Sequence, residues 1–202
     1  MSAALLLASR NPGKLAELRR LLESADLGGV QVLGLADVAA YPESPETGAT
    51  FAENAVAKAR EAAAASGLPA VADDSGLAVD ALNGMPGVLS ARWCGVHGDD
   101  AANLRLVLGQ LRDVPDERRG AQFVCAAALV VPGGDAVTVH GEWRGRLVRT
   151  PRGTNGFGYD PIFVPEGEER TSAELTPAEK DAASHRGRAM RALLPHLRAL
   201  AG

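Results

Sequence analysis

Cysteine, lysine and aromatic residues are all scarce in this chain. Only Cys94 and Cys125 are cysteines among 202 residues. That is too few for a disulfide framework, and it fits a reducing, cytoplasmic setting. Aromatic residues make up 4% of the chain against 46% for hydrophobic residues as a whole, so the core is expected to rest on Leu, Val and Ala. No apolar run approaches the ~20 residues that a membrane-spanning helix needs. Residues 3–8 are apolar, but they lack a basic start and soon meet Arg10 and Lys14, so they do not read as a signal peptide. No membrane partner is expected. Positive charge is also short: the net charge is -4, which argues against the basic face that nucleic-acid binding demands. A small, locally basic site remains compatible with an acidic protein.

The shortage of lysine is informative. Lys14, Lys58 and Lys180 are the only lysines among 21 basic residues. A chain so biased towards Arg is expected to keep Lys where a compact ammonium group matters. All three fall in the segments singled out below.

The length suits one domain spanning residues 1–202, or one domain with two lobes around a cleft. Residues 3–9 read as a buried strand. Asn11 followed by Pro12 marks a helix start, and Leu15, Leu18 and Leu22 follow at helical spacing. Residues 30–33 read as a second strand, and 41–48 as a polar loop. Thr50 to Glu53 has the form of a capping box for an Ala-rich helix that runs to about Ser66, where Gly67 and Pro69 stop it. Residues 70–72 and 77–79 read as short strands around a polar turn. A helix follows Asp99 or Asp100. Strands are expected at 123–131, 136–143, 147–148 and 162–164, with a hairpin turn at 132–135. Thr176 to Glu179 repeats the capping-box pattern and opens a terminal helix. Four or five helices and seven or eight strands in this order predict an α/β fold with a mixed sheet.

Four polar clusters interrupt these elements. Ser9, Arg10, Asn11, Pro12, Gly13 and Lys14 lie between a strand and a helix start, where backbone N–H groups and the helix dipole favour an anion. The spacing is not that of a Walker loop. Asp73 and Asp74 follow an apolar strand and precede Ser75 and Gly76. Adjacent carboxylates there need a cation, and Mg2+ takes one or two of them together with phosphate and water. Glu46 and Glu53 offer further carboxylates. Residues 153–161 place Phe157 and Tyr159 among glycines, with Asp160 beside them. An aromatic face on such a loop can stack a base. Lys180, Ser184, His185 and Arg186 gather donors near the last helix. At ~100° per residue, Lys180 and His185 would lie about 140° apart on a straight helix. Either they grip different parts of a ligand, or the helix is irregular there. Together the clusters supply phosphate contacts, a hard-cation site and a base platform, which is the inventory of a nucleoside triphosphate site.

The ordered set Ser9-x-Asn11-x-x-Lys14, Thr50-Phe51-x-Glu53-Asn54-Ala55-x-x-Lys58, Asp73-Asp74-Ser75-Gly76, Gly84-x-Pro86-Gly87, Ser90-Ala91-Arg92, Gly156-Phe157-Gly158-Tyr159-Asp160, Lys180 and Ser184-His185-Arg186-Gly187 resembles the inosine triphosphate pyrophosphatase family, closest to its bacterial dITP/XTP branch. The resemblance spans almost the whole chain. It implies an elongated mixed β-sheet with flanking helices, two lobes around a central cleft, and a homodimer. It implies hydrolysis of ITP, dITP and XTP to the monophosphate and pyrophosphate. By position, Ser9 to Lys14 would bind the triphosphate with Lys58 nearby. Asp74 would be the general base and Ser75 a substrate contact. Glu46 and Asp74, with Asp73 adjacent, would hold Mg2+. Phe157, Gly158, Tyr159, Asp160, Lys180, His185 and Arg186 would bind the nucleoside. Two departures are mild: Ser9 stands where many members have Thr, and Asn155 where Gly is frequent. A broader nucleotide pyrophosphatase and a non-hydrolysing nucleotide sensor are the rival readings, and the paired acids favour an enzyme.

Overall fold

The computed structural model describes residues 3–200. Its strands are β1 (Ala3–Leu7), β2 (Val30–Leu33), β3 (Ala70–Val79), β4 (Gly120–Val130), β5 (Ala136–Leu147) and β6 (Phe163–Pro165). Its helices are α1 (Pro12–Ser24), α2 (Phe51–Ser66), α3 (Asp100–Gln110), α4 (Pro177–Ala183) and α5 (His185–Arg198). The strands form one sheet in the order β2-β1-β3-β4-β5-β6. β1 runs parallel to β2 and to β3, whereas β5 and β6 are antiparallel. The expected mixed α/β sheet is therefore present. Among the described residues no helix is long and apolar enough to cross a membrane.

The strand count is lower than the sequence pattern suggested, because two pairs of expected strands are continuous. Residues 70–72 and 77–79 belong to β3, which carries Asp73, Asp74 and Ser75 in mid-strand rather than in a turn. Residues 136–143 and 147 likewise belong to β5. Its exposed Glu142, Arg144 and Arg146 alternate with buried Trp143 and Leu147, the period-2 pattern of a strand with one wet face. The terminal helix is two helices. Ser184 between them has φ -65° and ψ 157°, an extended conformation that breaks the turn.

The chain divides into two compact units. The first comprises Met1–Asp74, Cys125–Gly141 and Arg188–Gly202; the second comprises Ser75–Val124 and Glu142–Gly187. In the first unit, Leu5 and Leu7 of β1 pack with Leu18 and Leu22 of α1 and with Met190 and Leu193 of α5. Leu6 belongs to a second cluster, with Ala55, Ala59, Ala62 and Ala63 of α2, Ala70 and Ala72 of β3, and Ala126 and Ala128 of β4. Small residues on both sides let α2 lie close to the strands. α2 is capped by the Thr50 hydroxyl, which accepts the Glu53 N–H, and it ends at left-handed Gly67.

The second unit departs from the expected aliphatic core. Phe123, Trp143, Tyr159 and Phe163 are all buried there, with Leu77, Val107, Leu111 and Ile162. The rings of Phe123 and Phe163 meet edge-on at 4.7 Å, and Trp143 lies 5.5 Å from Phe163. Few aromatics suffice because four of them gather in one place, where each ring buries a large apolar area.

Candidate active site

In the first unit, the clusters around Lys14, Glu46, Lys58 and Asp73-Asp74 come together. Asn11 caps α1: its Oδ1 accepts the Gly13 N–H, and its own N–H donates to Ser9 Oγ at 3.2 Å. These acceptor roles leave the Ser9 hydroxyl hydrogen and the Asn11 amide N–H groups as donors. Pro12 at the first helical position has no N–H, and no acid lies in the first turn. The start of α1 thus favours an anion electrostatically. Arg10 points elsewhere, with its guanidinium 2.7 Å from exposed Glu43. Lys14 reaches Asp73, Nζ to Oδ2 2.6 Å.

Asp73 and Asp74 are both buried, at 3% and 9% exposure. A buried carboxylate is tolerated only when paired and hydrogen-bonded, and partners are in place. Lys58 Nζ donates to Glu46 Oε1 and to the Asp73 carbonyl, each at 2.8 Å, and lies 3.9 Å from Asp74 Oδ1. Asn54 Nδ2 donates to Asp74 Oδ2 at 2.8 Å. This is why the acids can sit inside a strand: cations and an amide replace the water that a turn would have provided.

The donor set fits a hard divalent cation. Carboxylates of Glu46 and Asp74 already converge on one cationic point, the Lys58 ammonium, and oxygen ligands of this type suit Mg2+. Among the described residues no three His, Cys, Asp or Glu side chains form a preassembled cage. The remaining ligands would therefore be water and phosphate, as is usual for this ion.

In the second unit, Ser75 follows Asp74 in β3 and is half-buried. Gly76 faces Ser90, whose hydroxyl accepts the Leu77 N–H and donates to the Gly87 carbonyl; a Cβ at Gly76 would collide with Ser90 Oγ. Tyr159 is buried and its hydroxyl donates to the Ser90 carbonyl at 2.8 Å. Burial pushes that phenol well above its ordinary pKa, so it stays a neutral donor. Tyr159 is thus a fixed support rather than an open face. Asp160 accepts the Phe157 N–H and a hydroxyl from Ser172, and forms an ion pair with Lys180. Lys180 Nζ also lies 5.1 Å from the centroid of the Phe157 ring, which is 65% exposed. Gly158 donates its N–H to Asp100. The break at Ser184 resolves the angular conflict between Lys180 and His185, because they stand on different helices. His185 stacks on Phe123, with centroids 4.9 Å apart and planes 13° from parallel. Arg186 is buried, at 6% exposure.

Three groups were not among the expected site residues: Asn54, Ser90 and Phe123. Asn54 had a signal, since it stands one turn before Lys58 and i,i+4 residues share a helix face. Phe123 had none, for its partner is distant in sequence.

Residues 5–196 match the Ham1 family. The chain belongs to the Ham1 family. It is 71% identical over 199 residues to the dITP/XTP pyrophosphatase of Nocardia farcinica, covering 98% of this chain and 97% of that one. It is 66% identical over 197 residues to the dITP/XTP pyrophosphatase of Mycobacterium tuberculosis strain H37Rv, covering 98% and 96%. Among solved structures, a HAM1 protein from Coxiella burnetii matches with a TM-score of 0.89 at 45% identity over 98% of this chain and 99% of that one. A nucleoside-triphosphatase/dITP/XTP pyrophosphatase from Mycobacterium abscessus matches with a TM-score of 0.79 at 66% identity, covering 95% and 99%. The family expected from the sequence motifs is the family found.

Proposed function

We propose that this Ham1-family chain hydrolyses non-standard purine nucleoside triphosphates, namely ITP, dITP and XTP, to the monophosphate and pyrophosphate, and so cleanses the nucleotide pool. One observation carries the reading. Two adjacent buried carboxylates, Asp73 and Asp74, are matched by Lys14 and Lys58 in a chain closely similar to proteins named for this activity. As part of the same reading we infer a Mg2+ requirement, a cytoplasmic location and a homodimer.

The chemistry is water attack at the α-phosphorus. A P–O bond forms to the water oxygen, the bridging α–β bond breaks, and pyrophosphate leaves. Asp74 accepts the proton of the attacking water, in the role of general base. Its Oδ2 is held by Asn54, which fixes the orientation of the carboxylate. Ser9, Asn11 and Lys14 at the start of α1 offset charge that develops on the phosphates, and Lys58 assists. Glu46 and Asp74, with Asp73 adjacent, would hold a Mg2+ ion, which would supply charge neutralisation at phosphate oxygens and a more acidic water. Ser75 contacts the substrate. Phe157 offers a stacking face, supported by Gly158, Tyr159 and Asp160, while Lys180, His185 and Arg186 supply donors.

Discrimination against adenine follows from those donors, whereas guanine, which shares the 6-keto group, must be rejected at its 2-position. Inosine and xanthosine carry a 6-keto acceptor where adenine carries a 6-amino donor. A site of facing donors pairs with the first and leaves buried groups unpaired against the second, which discriminates strongly. The test is pyrophosphate release from ITP, dITP, XTP, ATP and GTP, with and without Mg2+. Rapid turnover of the first three alone agrees with the proposal. Equal rates on all five would favour a broader pyrophosphatase, and no release from any would leave a nucleotide-binding module.

A further inference from the structure

We propose that Asn54 is a positioning residue for this reaction, one planar amide that fixes both the Asp74 carboxylate and the loop carrying Glu46; the assignment rests on the proposed pyrophosphatase activity. Asn54 sits in α2 on the face otherwise lined with Ala55, Ala59 and Ala62, and it is only 2% exposed. An amide buried among alanines is costly unless both of its ends are bonded. Both are. Oδ1 accepts the Gly48 N–H at 2.8 Å, and Nδ2 donates to Asp74 Oδ2 at 2.8 Å. The two contacts demand the same orientation of the amide. A backbone N–H can only donate, so the oxygen must face Gly48, and the nitrogen then faces the carboxylate.

The loop approaches unusually close at this point. A Cβ at Gly48 would lie 2.6 Å from Asn54 Oδ1 and 2.8 Å from Glu53 Cβ. Glycine is therefore what allows the Asn54–Gly48 bond to form. Glu46 stands two residues earlier and meets Lys58, which shares the face of α2 with Asn54 one turn on. Asn54 and Lys58 thus both link this loop to Asp74. Asn54 touches no reacting atom. It acts by fixing the orientation of the Asp74 carboxylate through Oδ2, and by holding the Glu46 loop at a fixed distance from Asp74. Groups of this kind, which orient a ligand or base from behind, typically matter ~10–100-fold.

Two variants separate the two ends. Asn54→Asp keeps an acceptor for Gly48 but turns an acceptor towards Asp74. Asn54→Ala removes both bonds. Asn103 of α3 provides the control: it is 1% exposed, and its Oδ1 captures a loop N–H, that of Cys94, at 2.7 Å. Its amide nitrogen meets no acceptor among the described residues. For each full-length variant, kcat and KM for ITP, the urea midpoint, and hydrogen exchange of the Gly48 amide are measured. The expected result is a kcat at least ~10-fold lower in Asn54→Asp, with KM within about threefold of wild type and the Gly48 amide still protected. Asn54→Ala should lose kcat similarly and lose Gly48 protection as well. Asn103→Ala should lower the urea midpoint while its kcat stays within about twofold. Wild-type kcat in folded Asn54→Asp overturns the assignment. If that variant does not fold, Asn54→Ala decides: wild-type kcat, or a kcat loss equalled by Asn103→Ala, overturns it. A wild-type chain that releases no pyrophosphate from any purine triphosphate sinks the proposed activity and the assignment together, a result distinct from any difference among variants.

Discussion

Lys14 Nζ lies 2.6 Å from Asp73 Oδ2, a contact made across 59 residues of chain. The carboxylate side chain is fully buried and the lysine side chain retains 20% of its exposure. The same arrangement recurs at the other two lysines. Lys58 pairs with Glu46 and lies near Asp74, and Lys180 pairs with Asp160. Every lysine in a chain that otherwise uses arginine is thus placed against a carboxylate of a polar cluster, with a side-chain exposure of 19–26%. A compact ammonium fits such a confined site, where the wide planar fork of arginine would need more room.

Replacing Lys14 should therefore be harmful even when the charge is kept. Lys14→Arg is expected to raise KM for ITP at least several-fold, and Lys14→Ala to raise it further. Lys14→Ala should also lower stability by about 1–3 kcal/mol, less than the cost of breaking a fully buried pair because Lys14 is partly exposed. Steady-state kinetics and urea unfolding report both effects. Wild-type kinetics in Lys14→Arg would show that a point charge is not what the position requires.

Asp74→Asn should cut kcat by at least ~100-fold. The Asn54 amide can still donate to the new side-chain oxygen, so the fold and substrate affinity should survive better than turnover. Calorimetric titration with ITP beside the kinetic assay separates the two. A folded variant turning over near the wild-type rate would remove Asp74 from the mechanism.

The cap of α4 gives a pH prediction. Glu179 accepts the Thr176 N–H and hydroxyl, each at 2.8 Å, and Arg170 at 3.1 Å. Chiefly the Thr176 N–H, then the hydroxyl and Arg170, hold its carboxyl at about 2, below the usual 4.5. A depressed carboxyl stabilises the fold fully above its unfolded value and loses that contribution as pH falls towards the folded one. The stability gap between wild type and Glu179→Ala should thus be constant above about pH 5, shrink below pH 4.5 and largely close near pH 2. Urea midpoints across this range measure it. A gap that persists undiminished at pH 2 would mean that packing, not the charged cap, is what the variant loses.

The caps themselves were legible in the sequence. Asn11-Pro12, Thr50 and Thr176 each combine a short-range hydrogen bond with a local pattern, and all three open helices as expected. Mid-strand acids were not legible. Asp is disfavoured in strands, and a lysine 59 residues away and the face of α2 help to make Asp73 and Asp74 tolerable inside β3. The split of the last helix was half legible. Lys180 and His185 could not both face one point on a straight helix, but nothing local said that Ser184 would be extended. The stacking of His185 on Phe123 depends on tertiary packing alone.

Base choice tests the second unit. Phe157 is exposed beneath the Lys180 ammonium, and stacking on such a ring tolerates any base. Hydrogen bonding to a base edge does not. Phe157→Ala should therefore lower kcat/KM for ITP and ATP by a similar factor and leave their ratio nearly unchanged. His185→Ala and Arg186→Ala should lower ITP activity while barely changing the slow ATP rate, so the ratio collapses. Both residues also have structural surroundings, because His185 stacks on Phe123 and Arg186 is buried. A loss of packing alone would lower the melting temperature and reduce ITP and ATP together. Phe123→Leu supplies the comparison, since it removes the ring beneath His185 and leaves the imidazole present. If His185 reads the base edge, this variant should show a smaller fall in the ITP-to-ATP ratio than His185→Ala at a comparable loss of melting temperature. If ratios stay at the wild-type value in His185→Ala and Arg186→Ala alike, selectivity lies in backbone groups and not in these side chains.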